Sequence, residues 1–342
     1  MTSRLRQLQI QWNELVPQAQ ARGLRGVREI ALYPEGLHER IPHRQNRLNW
    51  LRRELGLTTT AFVTSSTGVV SGVDTDFTFG VEIEFLHPRL TRTQVCRALN
   101  DGGINCQDEG YTHRVSTHWK IVTDGSLGDY INGSEVVSPV LRDDNGFQQL
   151  TKVCEILSSL GCKVNKRCGL HVHVGARGET VDFFKSLVRL YMAAEPTVDS
   201  FMAPSRRGPH GGNGFCNSVR MVNRTMFDSA TTVEQVATAV DQDNTPYAVR
   251  SMRRYRKLNL QSYWQHGTVE FRQHQGTVDA EKACNWVRFC LRLSLAARRG
   301  TDTLTDATLE TLLSIVGANE TETRYFVSRR AFFDRAALSR AA

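Results

Sequence analysis

The chain has 342 residues, 40% of them apolar and 8% aromatic, enough to bury a sizeable core. A mean hydropathy of −0.36, with no run of about 18 apolar residues, argues against a membrane span. The net charge of +8 suits an anionic substrate, ATP or nucleic acid. The opening Met-Thr-Ser-Arg-Leu-Arg-Gln lacks the apolar stretch of a signal peptide, and the eight cysteines contain no C-x-x-C pair. The expectation is a cytoplasmic protein without a disulfide framework or structural zinc site.

Residues 1–56 hold ten arginines against five glutamates, a net +5. Helix-face spacing of Leu5, Leu8 and Trp12, and of Leu48, Leu51 and Leu55, predicts short helical pieces there. The arginines fit either a solvated surface or forked recognition of phosphate or carboxylate. Residues 57–76 are rich in Ser, Thr and Gly and read as a linker or exposed ribbon. That gives a basic helical extension at 1–75, a main domain at 76–300, and helices at 301–342 packing on it. Within the main domain a strand is predicted at 77–86 and a helix from Thr91. Strands at 118–123 and 133–140 precede a helix from Phe147 to Leu160, stopped by Gly161. A strand at 163–174 leads to a helix at 180–195 that ends before Pro196. The Gly-rich loop at 204–216 is a candidate flap. Strands near 256–263 and 267–273 flank Gln265-His-Gly267, a hairpin-sized gap, and a helix at 280–298 stops at Gly300. Strands and helices mix without a βαβ repeat, so the fold class is α+β with a largely antiparallel sheet.

Three predicted strands share one pattern: Phe79-Gly-Val-Glu-Ile-Glu-Phe85, Cys168-Gly-Leu-His-Val-His-Val174 and Thr268-Val-Glu-Phe-Arg272. Residues two apart on a strand share a face. Glu82 with Glu84, His171 with His173, and Glu270 with Arg272 therefore face one way, while Ile83, Val172 and Phe271 face the core. The two glutamates stand about 6.7 Å apart along the strand, and paired ions in phosphoryl transfer stand about 3.5–4 Å apart. Leaning inward, each glutamate reaches one ion. Each pattern taken singly also fits a wet edge strand, satisfied histidines or a cross-strand ion pair. Together they indicate a sheet face holding a cation and an anion. Arg253-Arg-Tyr-Arg-Lys257 ahead of Asn259 supplies enough cation to neutralise a triphosphate, or forms a solvated charge run. Asp124 sits in the turn Thr123-Asp-Gly-Ser-Leu127, and Glu135 opens an apolar strand where a charge needs a partner. There is no P-loop and no G-x-G-x-x-G before a helix, so nucleotide binding would use the sheet face.

In order, Gly80-Val-Glu-Ile-Glu-Phe85, Asp124-Gly-Ser-Leu127, Gly133-Ser-Glu-Val-Val-Ser-Pro139, Gly169-Leu-His-Val-His-Val174, Arg256-Lys-Leu-Asn-Leu260 and Thr268-Val-Glu-Phe-Arg272 resemble the amidoligase family of carboxylate–amine ligases, which has a glutamine synthetase-like catalytic fold. The resemblance covers roughly residues 77–295. It implies a curved, largely antiparallel sheet binding ATP with two or three Mg2+ or Mn2+ ions. By position, Glu84 and Glu135 would hold the ion near the substrate carboxylate, and Glu82, His171 and Glu270 the ion near the phosphates. His173, Arg256, Lys257 and Arg272 would contact phosphate, with Asn259 and Arg253 or Arg254 beside them. Thr268 stands where glutamine synthetase usually carries an arginine. The implied reaction forms an acyl phosphate from an amino acid, peptide or protein carboxylate, which an amine then displaces. Asp124 is the candidate base for the incoming ammonium. The rival readings are a zinc-dependent hydrolase using His171-x-His173, and a nucleic-acid-binding or assembly protein acting through residues 1–75.

Overall fold

The computed structural model describes residues 72–341 apart from 88, 113, 128–131, 209–213, 242–253 and 305–306, together with residues 15, 17, 18 and 21. The chain separates into two units, Met1–Val69 and Val70–Ala342, and everything below concerns the second. The helical pieces and linker expected before residue 76 lie largely outside the described residues.

In chain order the elements are β1 (Phe79–Leu86), α1 (Arg92–Asp101), β2 (Cys106–Gly110), β3 (Trp119–Val122), β4 (Gly133–Val137), α2 (Asp143–Ser159), β5 (Gly169–Gly175), α3 (Val181–Ser200), α4 (Arg224–Ser229), α5 (Val233–Asp241), β6 (Leu258–Asn259), α6 (Ser262–His266), β7 (Thr268–Gln275), α7 (Ala280–Arg298), α8 (Leu309–Ile315) and α9 (Glu320–Ala341). The strands form one sheet in the order β2-β3-β4-β1-β5-β7-β6. Every neighbouring pair is antiparallel except β2 with β3. The α+β class and the largely antiparallel sheet are therefore as the sequence predicts.

Strand alternation divides the sheet into two faces. Phe79, Val81, Ile83 and Phe85 of β1, Leu170, Val172 and Val174 of β5, and Val269 and Phe271 of β7 are all buried in the core. Helices α2, α3 and α7 pack on that side, and each such side chain contributes roughly 1.5–3 kcal/mol by leaving water. The opposite face carries the charged positions. Helix starts are set by caps: Thr91 forms a capping box with Gln94 before α1, and Thr180 accepts from the Phe183 backbone at the head of α3. At the C-terminus, Phe326 of α9 packs on Phe201 and Phe289 with ring centroids 4.9 and 5.5 Å apart. Glu322 meets Arg292 of α7 at 2.8 Å.

Two elements depart from the predicted ones. Helix α3 does not end before Pro196 but runs through it to Ser200. Its buried face, from Phe183 to Val198, continues past the proline, and the packing outweighs the one lost backbone bond. Residues 262–266 are a short helix rather than strand and gap. That helix is closed by Gly267 at φ +70°, whose N–H reaches the Tyr263 carbonyl. All eight cysteines are buried free thiols.

Candidate active site

Register brings the polar positions of five strands together. Glu84 of β1 lies opposite Glu135 of β4, and Glu82 lies opposite His171 of β5. His173 lies between Gly80 of β1 and Glu270 of β7, and Glu270 pairs in turn with Asn259 of β6. The β5–β7 register shifts between Leu170 and Val172, so His171 faces two residues, Arg272 and Gln273. Alternation along β7 keeps Arg272 on the charged face with Glu270 while Gln273, like Phe271, turns to the helix side and α3. There Gln273 accepts from the Tyr191 hydroxyl and donates to Asp199, both at 2.5 Å.

The contacts are close. Glu270 Oε1 accepts from Arg272 Nη1 at 2.5 Å, and its Oε2 accepts from Asn259 Nδ2 at 2.6 Å. Glu84 Oε2 accepts the Gly169 N–H at 2.5 Å. His171 Nδ1 stands 3.0 Å from Glu82 Oε2 and 3.6 Å from Glu270 Oε1, and its Nε2 stands 3.7 Å from Glu84 Oε1. The Nδ1 of His173 is tied to the Ser262 and Thr268 hydroxyls at 3.1 and 2.9 Å. Its buried Nε2 has no hydrogen-bond partner among the described residues and lies 3.3 Å from Glu82 Oε1.

The electrostatics split the carboxylates. Burial, then the charges of Glu82, Glu84 and Asp124, push Glu135 well above the usual carboxylate range. Burial also raises Glu84, against the pull of His171. Glu82 goes the other way: burial opposes its charge, but His171 and His173 hold it well below the ordinary value. Glu270 is likewise lowered, by Arg272 and His173 against burial. One end of the cluster thus has too many negative charges for its donors, which is what a bound cation relieves.

Three sets of side chains offer donor atoms within 4.8 Å of one another: Glu82, His173 and Glu270; Glu82, Glu135 and His171; and Glu84, Asp124 and Glu135. None contains cysteine and none has more than one histidine. Such carboxylate-rich donors suit Mg2+ or Mn2+ rather than zinc, and the partnerless Nε2 of His173 suits a ligand atom. The residues therefore fit a divalent metal. His173, expected on phosphate, stands where a ligand beside Glu82 and Glu270 would stand. Asp124, expected as a base, gives two acceptor positions to the Ser126 N–H and hydroxyl at 2.8 and 2.6 Å. The grouping of its carboxylate with Glu84 and Glu135 fits holding a cation better than receiving a proton.

A single cleft is lined by Glu82, Glu84, Asp124, Glu135, His171, His173, Asn259, Glu270 and Arg272, together with Arg254 and Tyr255. Two expected phosphate contacts are not in it. Lys257 is fully buried and turned to α3, bonding Glu195 at 3.0 Å and Asp199 at 2.7 Å. Arg256 is buried with its guanidinium on the carbonyls of Ser218 and Asp241, both at 3.2 Å. Both corrections have one cause: these cations satisfy buried acceptors of the fold. Arg253 lies outside the described residues. Lys120 is a residue the sequence reading passed over. It lines a second recess that adjoins the cleft at Glu82, Glu135, His173 and His266 and has walls of Val115, Val137, Pro139 and Val140. Its signal was a lysine within the apolar run Trp119-Lys-Ile-Val122.

Residues 75–294, nearly two thirds of the chain, match the family described as "Putative amidoligase enzyme". Among solved structures, one described as a novel glutamine synthase homolog is similar at 11% identity and a TM-score of 0.34, over 78% of this chain and 67% of that one. No curated protein gives a significant match.

Proposed function

The chain belongs to the amidoligase family, and on that premise we propose that it joins a carboxylate to an amine with ATP as the second substrate and Mg2+ or Mn2+ as cofactor. The observation that carries this reading is the run of three overlapping donor sets across one sheet face, two of carboxylates with an imidazole and one of carboxylates alone. The acceptor is an amino acid, a peptide or a protein side chain. Bound there, the ions would offset negative charge on the transferring phosphoryl group.

The protein groups have separable tasks. Glu84, Asp124 and Glu135 form the acceptor end, and Glu82, His173 and Glu270 form the nucleotide end, with Glu82 and Glu135 shared through His171. Arg272 stays charged, since against burial Glu270, Glu82 and Glu84 raise its pKa. It sets a permanent positive charge beside the phosphoryl group. Asn259 fixes Glu270 from the other side, and the Ser262 and Thr268 hydroxyls orient His173. The acceptor carboxylate attacks the γ-phosphorus, ADP leaves, and the acyl phosphate passes its acyl group to the amine with release of phosphate. The amine reacts as the free base, its proton passing to solvent.

The test is ADP release from the purified chain with Mg·ATP and pooled amino acids and peptides, with detection of the amide by mass. An amide-bearing product and stoichiometric ADP are expected. Tightly held zinc with hydrolysis and no ATP requirement would overturn the reading.

A further inference from the structure

The strand β3 reads Trp119-Lys-Ile-Val122, four buried residues with one cation among them. Alternation puts Lys120 on the charged face, level with Val137 of β4, which is level in turn with Glu82 of β1. The residue is 3% exposed, and its ammonium donates to the backbone carbonyl of Arg114. No carboxylate among the described residues forms an ion pair with it. The nearby Glu109 feels the Lys120 charge through space, but its hydrogen bonds go to His118 at 2.7 Å and Ser116 at 3.2 Å. An ammonium carries three donors, and burying one without an anion is costly.

The anion's place is open. Lys120 lines the second recess, whose apolar wall is Val115, Val137 and Val140. That recess meets the donor cluster at Glu82, His173 and Glu135, whereas Glu84, Asp124 and Glu270 line only the main cleft. Two of its three shared donors, Glu82 and His173, belong to the nucleotide end, so the recess opens onto that end of the cluster. It combines an apolar wall, a buried cation and an edge on the metal-type groups, in that spatial relation to one another. We propose that Lys120 holds the non-transferred phosphates of the nucleotide, with the base against Val115, Val137 and Val140. The identity of the anion rests on the ligase reading; the anion subsite itself rests on Lys120 and the recess.

The experiment measures binding of Mg·ADP, adenosine and Mg·pyrophosphate to the full chain and to Lys120→Met and Lys120→Arg. Loss of a buried charge-assisted contact should weaken Mg·ADP and Mg·pyrophosphate about tenfold or more in Lys120→Met. Adenosine affinity should be unchanged, and Lys120→Arg should restore much of the loss. If the methionine variant does not fold, Lys120→Gln, which keeps a donor for the Arg114 carbonyl, takes its place. Unchanged Mg·ADP affinity in the uncharged variant overturns the assignment, as does equal weakening of adenosine. Lys120-dependent pyrophosphate binding without nucleotide binding would keep the anion subsite and remove the ligase reading. Binding of none of the three probes by the unaltered chain would remove both.

Discussion

Glu135 carries the largest electrostatic burden of the cluster, because three other carboxylates surround it in a buried place. Without a cation, burial and these neighbouring charges disfavour its ionised form, so Glu135→Gln removes an unfavourable charge and should leave the metal-free fold at least as stable as the parent. Mg2+-dependent ADP release should nonetheless fall about a hundredfold or more, because the side chain no longer offers an anionic ligand. Near-normal turnover in this variant would break the metal assignment, and a urea titration checks the fold. His274 gives a second test. Its buried ring faces Trp286, with Nδ1 on the Gln275 carbonyl at 2.6 Å and Nε2 beside Gln275 Nε2 at 3.0 Å. Burial lowers its pKa from 6.5 to about 3. Below pH 6.5 the unfolded chain takes up a proton that the folded chain refuses. Stability is therefore complete above that pH and declines as pH falls toward 3, by about 2 kcal/mol at pH 5. The difference between parent and His274→Gln in urea midpoints at pH 7 and pH 5 reads this directly; equal pH slopes would refute it. At this level the sequence revealed charged pairs that alternate along strands, because a strand's period fixes their side. It did not reveal the fate of Arg256 and Lys257. The acceptors of Lys257, Glu195 and Asp199, are about sixty positions upstream, those of Arg256 are 38 and 15 positions upstream, and a basic run has no period that says where each head turns.

Helix α2 shows how tightly an element can constrain the charged face. Gly146, in its first turns, lies where an added Cβ would come within 2.9 Å of both Leu141 Cβ and the Phe79 ring. Replacing a helical glycine by alanine gains about 1 kcal/mol of propensity. Forcing a methyl against a close-packed ring costs about 1–3 kcal/mol. The second effect wins, so Gly146→Ala should lower stability by roughly 1 kcal/mol in a thermal or urea measurement. A gain in stability would show that Phe79 yields freely. The strain falls on β1 one residue before Gly80, at the floor of the second recess. The strong periodic elements, β1, β5, β7, α2 and α7, were legible because each buries a continuous apolar row. Three features were not. β2 is a polar, half-exposed edge strand with no alternation to read, and α6 is too short to show a helical period. The proline in α3 gave a true local signal that long-range packing overrode.

For the whole molecule, the strands meet in such a register that negative charge from three of them converges on one buried patch, while α2, α3 and α7 cover the apolar face. Folding without a counter-ion must therefore bring Glu82, Glu84, Glu135 and Glu270 together against their repulsion, with Arg272 and the two histidines as partial relief. An ion that binds the folded chain and not the unfolded one adds stability in proportion to the logarithm of its concentration. The gain reaches about 2.7 kcal/mol at a free concentration a hundred times Kd. Melting in Mg2+ or Mn2+ should thus exceed melting in EDTA by several degrees, since about 1 kcal/mol moves a domain of this size by roughly 2–4 °C. The same titration on Glu84→Gln and Glu270→Gln separates ionic strength from ligation. A general salt effect would raise all three melting points equally, whereas ligation by these carboxylates would leave each variant with a smaller rise. Each variant should also start from an EDTA melting point no lower than the parent's where the removed charge was repelled by its neighbours. Glu84 meets that condition, with a raised pKa. Glu270 does not, because Arg272 and Asn259 bond it directly, so Glu270→Gln should lose metal-free stability as well. Opposite metal-free behaviour of these two variants, with the same loss of metal response, is the pattern that a divided metal-binding face requires.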